Sequence, residues 1–175
     1  MICNLCSSII SKKNSFFYSF NKIKYYQCKN CDLVFQDTTK KINLSSVFDD
    51  AYFNLHYSKK NLEFIKRLKQ YQIDFKFINK FYKDNLKKKI LDYGCGNGIF
   101  LSYFKSKKFG FDINPAKYSN KIHILNKKEM FAKKYDLIIF RGVIHHAPDV
   151  FNLLPKLFKC VKKNGFISVL ATPNI

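Results

Sequence analysis

Arginine is nearly missing from this sequence. Of 32 basic residues only Arg67 and Arg141 are arginine, and just 12 acidic residues oppose them, leaving a formal net charge of +20. So basic a chain ordinarily points to nucleic acid. Specific nucleic-acid sites, however, favour the planar, bidentate arginine fork. The lysines here are spread along the whole chain, among abundant Asn, Ile, Phe and Tyr, which is the pattern of compositional drift. Nonspecific attraction to polyanions is expected, and a dedicated nucleic-acid site is less favoured. Long apolar runs are absent as well: none approaches the ~18 residues of a membrane span. Met1 opens directly onto "ICNLC", without the layout of a secretory leader. No membrane is indicated, and a cytoplasmic location is the expectation. Thiols stay reduced there, so the 6 cysteines read as ligands or core residues rather than as disulfides. What the chain does have is 175 residues, 47% of them hydrophobic. That suffices for one ordinary domain plus a small appendage, and it excludes wholesale disorder.

The appendage is the N-terminal stretch, residues 1–40. "CNLC" (Cys3, Cys6) and "CKNC" (Cys28, Cys31) are two C-x-x-C pairs separated by 21 residues. Each pair can set two thiolates on a tight knuckle, and two knuckles close a tetrahedral zinc site. "FFYSF", "KIKYYQC" and "LVFQD" read as three short strands around it. So short a unit cannot bury enough surface alone, and zinc would supply the missing folding free energy. Four thiolates leave no open coordination position, so the zinc would be structural. A redox role is weaker, because no βαβ pattern surrounds either pair.

Residues 41–60 connect this zinc-ribbon-like unit to the rest. Tyr52, Phe53, His56 and Tyr57 lie here, as linker aromatics packed on the larger domain or as a lid over a ligand. The main domain occupies residues 61–175. It opens with a helical stripe of Phe64, Leu68, Tyr71, Phe75, Ile78 and Tyr82, spaced by threes and fours and read as core packing. Strands and helices then alternate. "KILDY" predicts a strand, "GIFLSYFKSK" a helix, "FGFDI" and "KIHIL" strands, and "YDLIIFRGV" the longest strand. "PDVFNLLPKLFKCVKK" predicts a helix kinked or restarted at Pro155, and "GFISVLA" a last strand after an Asn-Gly turn. This order predicts an α/β fold, a parallel sheet with helices on both faces.

Glycine is also scarce, at 6 residues, and three of them crowd into "LDYGCGNG" after the first strand. Sheets of this kind bind ligands at such a strand-to-helix loop. Asp92, Gly94, Gly96 and Gly98 do not fit the dinucleotide pattern G-x-G-x-x-G, because Ile99 and Leu101 occupy the positions the last glycine would need. Nor is there the Lys-Ser/Thr ending of a P-loop. Asp92 would repel a pyrophosphate but suits a ligand with an ammonium group. Asp112, at the end of the second strand, can accept both hydroxyls of a ribose. Cys95 and Cys160 read as small packing residues.

Together, "ILDYGCGNG", "GFDINP", "YDLIIFRGVIHHAPDVFNLL" and "NGFISVLATPN" resemble the motifs of the class I S-adenosylmethionine-dependent methyltransferases, in order, from Lys89 to Ile175. The four-cysteine unit resembles the zinc-binding domain of a subgroup that includes C-methyltransferases of nucleotide-linked sugars. The resemblance implies a Rossmann-like sheet of strand order 3-2-1-4-5 and S-adenosyl-L-methionine as methyl donor. It implies that Asp92, Gly94, Gly96 and Gly98 shape the pocket for the methionine part. Asp112 would hold the ribose, Ile113 would lie beside adenine and Asn126 at its edge. Phe140, Arg141 and Gly142 would line the methionine side. His145 and His146 follow the fourth strand in the loop that faces substrate, and either could serve as a general base with its pKa of ~6.5.

The family's usual final helix and antiparallel strand pair are not in this sequence. The expectation is therefore a fragment, or a second polypeptide that completes the sheet edge. The acceptor implied is a small molecule such as a nucleotide-linked sugar. Two alternatives stand beside it: an RNA methyltransferase whose zinc unit grips the substrate, and a non-catalytic module that binds zinc and S-adenosylmethionine.

Overall fold

The computed structural model describes residues 1–3, 5–13, 15–20, 23–37, 51, 62–114, 122–147 and 149–172. The chain divides into two compact units, Met1–Ile42 and Asn43–Ile175. The aromatic residues of the connecting stretch, Tyr52, Phe53, His56 and Tyr57, lie outside the described residues.

The first unit holds three antiparallel strands in the order β1 (Phe16–Phe20), β2 (Ile23–Gln27) and β3 (Val34–Gln36). Its two cysteine knuckles repeat one geometry. Ser7 N–H donates to Cys3 O at 3.0 Å and Asp32 N–H to Cys28 O at 2.9 Å; Cys3 N–H reaches Ser8 O and Cys28 N–H reaches Leu33 O, each at 2.9 Å. Ser7 and Asp32 close the two turns with φ of 60° and 57°. Cys3, Cys28 and Ile10 form the small buried core, with Met1, Leu33 and Phe35 against it.

The second unit begins with α1 (Leu62–Tyr82). Five parallel strands follow: β4 (Lys89–Tyr93), β5 (Lys107–Phe111), β6 (His123–Ile124), β7 (Tyr135–Arg141) and β8 (Val161–Leu170). Their order in the sheet is β6-β5-β4-β7-β8. This is the 3-2-1-4-5 order of a Rossmann-like fold. Side chains alternate across a strand, so Ile90, Leu137 and Ile139 face Tyr71, Ile78, Tyr82, Phe100 and Phe104. Leu91, Ile138 and Phe140 face Phe109, Leu125, Met130 and Leu157 on the other side. Each such aliphatic side chain removed from water contributes about 1.5–3 kcal/mol. Two short helices, α2 (Lys127–Phe131) and α3 (Val150–Phe158), precede β7 and β8.

Three sequence expectations need correction. "GIFLSYFKSK" is not a full helix but a single 3-10 turn, Phe100–Tyr103. The Asp84 carboxylate accepts from the N–H groups of Lys105 and Ser106, and Tyr82 Oη lies 2.8 Å from Ser106 Oγ. These bonds pin the chain at the end of α1 and leave no length for further turns. α3 does not restart at Pro155; it runs through that residue to Phe158 and ends three residues before β8. The Asn-Gly turn does not precede the last strand but bulges out of it. Val161 pairs with Tyr135 and Phe166 with Leu137, while Asn164 takes φ 63°.

Candidate functional site

The glycine loop leaves the C-terminal end of β4 and is tied to the end of β5. Gly94 N–H donates to Phe111 O at 2.7 Å, and Gly96 N–H to Asp112 Oδ2 at 2.8 Å. Asp112 Oδ1 takes the Asn114 N–H at 3.0 Å. Burial raises the Asp112 pKa, opposed by those N–H donors. Two glycines sit where a side chain would press on a neighbour. Gly94 has φ +75°, and a Cβ there would lie 2.3 Å from Val143 Cγ2. Gly110, in β5, has Cys95 Sγ where its Cβ would stand, at 2.7 Å. The loop's own cysteine is thereby seated on the sheet, as a packing residue.

Asp92 is the unusual residue. It is 3% exposed, and its Oδ1 has no hydrogen-bond partner among the described residues. Burial pushes its pKa up to about 8; the Arg141 charge works against this and the Asp112 charge adds to it. An unpartnered buried acceptor costs free energy until a donor reaches it.

Arg141 lies on the same face of the sheet as Asp92 and α1. Its Nε donates to Asp74 Oδ2 at 2.8 Å, with both side chains nearly buried. The guanidinium sits 4.3 Å from the centroid of the Tyr71 ring. Phe140 is fully buried and packs on the Tyr93 ring, at 5.3 Å between centroids, so its side chain belongs to the opposite core. Gly142 has φ +64°, and its N–H donates to Leu170 O at 2.9 Å. Ile113 is exposed beyond Asp112. Asn126 caps α2: its Oδ1 accepts the Glu129 N–H at 2.9 Å while Glu129 returns a bond to the Asn126 N–H. That leaves the amide nitrogen as the part of Asn126 able to meet a ligand. His145 and His146 sit on a 3-10 turn after β7, their rings 3.9 Å apart. Burial holds both below the ordinary imidazole pKa, and the His145 charge lowers His146 further.

Asp74 and Gln70 escaped the sequence reading, which treated α1 as packing. A signal was there: Asp74 is an acid between Tyr71 and Ile78, on the buried side of a lysine-rich helix.

In the first unit, Cys3 Sγ and Cys31 Sγ are 3.6 Å apart, as are Cys6 Sγ and Cys28 Sγ. All four sulfur atoms lie within 4.8 Å of one another. A tetrahedron with Zn–S of ~2.3 Å has S···S edges of about 3.8 Å, so the cluster fits a zinc ion. It is far too open for disulfides.

The profile of the family described as "Methyltransferase domain" matches residues 58–174, which contain the whole sheet and its loops. The chain belongs to that family. Among curated proteins, this chain is 30% identical over 113 residues to the tRNA U34 carboxymethyltransferase of Campylobacter jejuni, covering 54% of this chain and 39% of that protein. It is equally 30% identical over 113 residues to the ubiquinone biosynthesis O-methyltransferase of Rickettsia canadensis, covering 55% and 48% of the two chains. The chain thus spans less than half the length of the curated relatives it matches. Among solved structures, it is similar to a SAM dependent methyltransferase from Archaeoglobus fulgidus, at 20% identity and a TM-score of 0.49 over 67% of this chain and 55% of the other. It is also similar to a SAM-dependent methyltransferase from Geobacter sulfurreducens in complex with S-adenosyl-L-homocysteine, at 13% identity and a TM-score of 0.47 over 69% and 55%.

Proposed function

We propose that this methyltransferase domain takes S-adenosylmethionine and transfers its methyl group to a small-molecule acceptor such as a nucleotide-linked sugar. The observation that carries the reading is the orphaned Asp92 Oδ1 beneath a loop whose Gly94, Gly96 and Gly98 all take positive φ. A cation with N–H donors satisfies that oxygen and ionises the carboxyl. Asp112 keeps lone pairs for two ribose hydroxyls while it holds Gly96 and Asn114. Ile113 and the Asn126 amide are assigned to adenine, and Arg141 and Gly142 to the methionine side. The sulfonium supplies an already activated methyl group. The chain's own work is therefore to align donor and acceptor and to exclude water. His145 or His146, uncharged near pH 7, is assigned as the base for a carbon or hydroxyl acceptor. The four cysteines are assigned to a structural zinc ion.

Isothermal titration with S-adenosylhomocysteine tests the donor site. Micromolar binding that Asp92→Asn and Asp112→Ala each weaken at least about tenfold supports it; wild-type protein that binds no adenosyl ligand sinks it. Methyl transfer would then be screened against nucleotide-linked sugars.

A second reading, an RNA acceptor, draws on the first unit. Tyr18 and Tyr25 stack there with centroids 4.5 Å apart, beside exposed Phe16 and Phe17. Bases stack on such aromatic surfaces, and one of the relatives is named for a tRNA. RNA affinity that falls steeply with salt and is lost in Tyr18→Ala would favour this reading.

A further inference from the structure

Asp74 is 8% exposed on α1, a helix whose lysines, Lys66, Lys69, Lys76 and Lys80, all lie on its solvent side. A carboxylate buried there is costly unless it is paired and hydrogen-bonded. It is both: Oδ2 accepts Arg141 Nε at 2.8 Å, and Oδ1 accepts Gln70 Nε2 at 2.8 Å. Tyr71 and Phe100 lie 4.3 and 5.6 Å from the guanidinium carbon and limit where it can go.

Which nitrogen makes the bond matters. Asp74 engages Nε, so among the described residues the two terminal nitrogens of Arg141 have no acceptor. These form the fork that matches a carboxylate in a bidentate manner. Arg141 is also near enough to Asp92 for its charge to be felt there. Tyr93 and Phe140, the neighbours of Asp92 and Arg141 in sequence, are partners across β4 and β7. Asp92 would be an attractive partner for Arg141, being buried and unpartnered. If Arg141 turned to it, the acceptor for an ammonium group would be lost.

We propose that Asp74, steadied by Gln70, is a positioning residue for the amino-acid end of the methyl donor. It keeps Arg141 off Asp92, so that Asp92 receives the ammonium and the free arginine fork receives the carboxylate. The inference rests on the reading that this site takes S-adenosylmethionine. It adds α1 to the site and makes a paired ammonium and carboxylate, rather than a cation alone, the specificity of that end.

Two probes separate this role from plain packing: S-adenosylhomocysteine, and 5′-methylthioadenosine, which lacks the amino-acid end. Wild-type protein should bind the first at least about tenfold more tightly, the value of a charge-assisted bidentate contact. Asp74→Asn should lose about tenfold for S-adenosylhomocysteine and leave 5′-methylthioadenosine within about twofold. Proton release on S-adenosylhomocysteine binding near pH 7 should also vanish, because Arg141 then ionises Asp92 beforehand. Equal losses for both probes, or no loss for the first, overturn the proposal. If Asp74→Asn fails to fold, Gln70→Ala at the exposed end of the pair must show the same selective loss, at about two- to threefold; an equal loss or none overturns it. Wild-type protein that binds both probes alike refutes this inference and leaves the donor site standing. Wild-type protein that binds neither refutes both.

Discussion

Asp112 Oδ2 accepts the Gly96 N–H across 2.8 Å, and this bond joins the end of β5 to the loop that follows β4. The carboxylate that would hold a ribose therefore also sets the shape of the loop beside it. Asp112→Ala should weaken S-adenosylhomocysteine binding about ten- to a hundredfold, the range for losing hydrogen bonds to a charged group. It should also lower the melting temperature, because the Gly96 and Asn114 N–H groups lose their acceptor. Asp112→Asn retains an acceptor oxygen and should lie between. Calorimetric titration and a thermal melt on the same preparations check both effects.

The Asp92 carboxyl links binding and stability to pH. Its pKa is raised on folding, chiefly by burial, to about 8. An acid raised in this way stabilises the fold while protonated. The contribution is complete below the unfolded value of about 3.9 and is lost as pH rises through about 8. Asp92→Asn should therefore remove a loss of stability that the wild type shows between about pH 4 and 8, and be the more stable of the two at the upper end. Ligand binding runs the other way, because an ammonium group favours ionised Asp92. Between about pH 5.5 and 7.5 the affinity for S-adenosylhomocysteine should rise with pH, with release of up to about one proton. Titrations in buffers of different ionisation enthalpy measure that proton directly. Release that persists in Asp92→Asn would show that another group titrates.

The parallel sheet was legible because its strands are short apolar runs closed by turn residues, from "KILDY" to "YDLIIFRGV". The glycine loop was legible because Gly94, Gly96 and Gly98 concentrate half the scarce glycines in one place. What local pattern could not show was competition from distant partners. Gly98 to Lys107 has helical composition, but Asp84 and Tyr82 at the end of α1 capture Lys105 and Ser106 first. Val161 looked like the end of a helix, yet β7 offers Tyr135 as a ladder partner. The Asp74–Arg141 bond links residues 67 positions apart, and only the fold brings them together.

The two cysteine knuckles make a metal test straightforward. Purified chain should carry about one zinc ion, since four thiolates complete a structural site. Ligands must be deprotonated to bind, so removal by a strong chelator should become easier as pH falls. Stripped of metal, residues 1–42 should lose protease resistance and amide dispersion, because so small a unit has little other core. Cys28→Ser should do the same. Zinc-free protein that keeps full protection over β1 to β3 would mean that the cluster is packing alone.

Gly94 offers the sharpest steric test of the loop. Gly94→Ala places a Cβ 2.3 Å from Val143 Cγ2 at φ +75°. The substitution should cost about 1–3 kcal/mol from overpacking and backbone strain. Val143→Ala should recover only part of this, since it removes the clash and leaves the strain. Rescue of both stability and ligand binding to wild-type values would mean that φ costs nothing here, and the loop would not need glycine at this position.

His145 and His146 can be examined before any acceptor is known. Burial lowers both pKa values, and the His145 charge contributes to the lowering at His146. In a proton NMR titration both imidazoles should titrate below about 6.5, the ordinary value. Replacing His145 with Gln removes a positive charge from a ring 3.9 Å away, so His146 should move back up toward that value. The complementary change, His146→Gln, leaves only burial acting on His145, which should stay below the ordinary value. If the His146 pKa does not rise in His145→Gln, the two rings do not share a local field. A base role would then have to be argued for each histidine alone, from the loss of turnover in each variant once an acceptor is in hand.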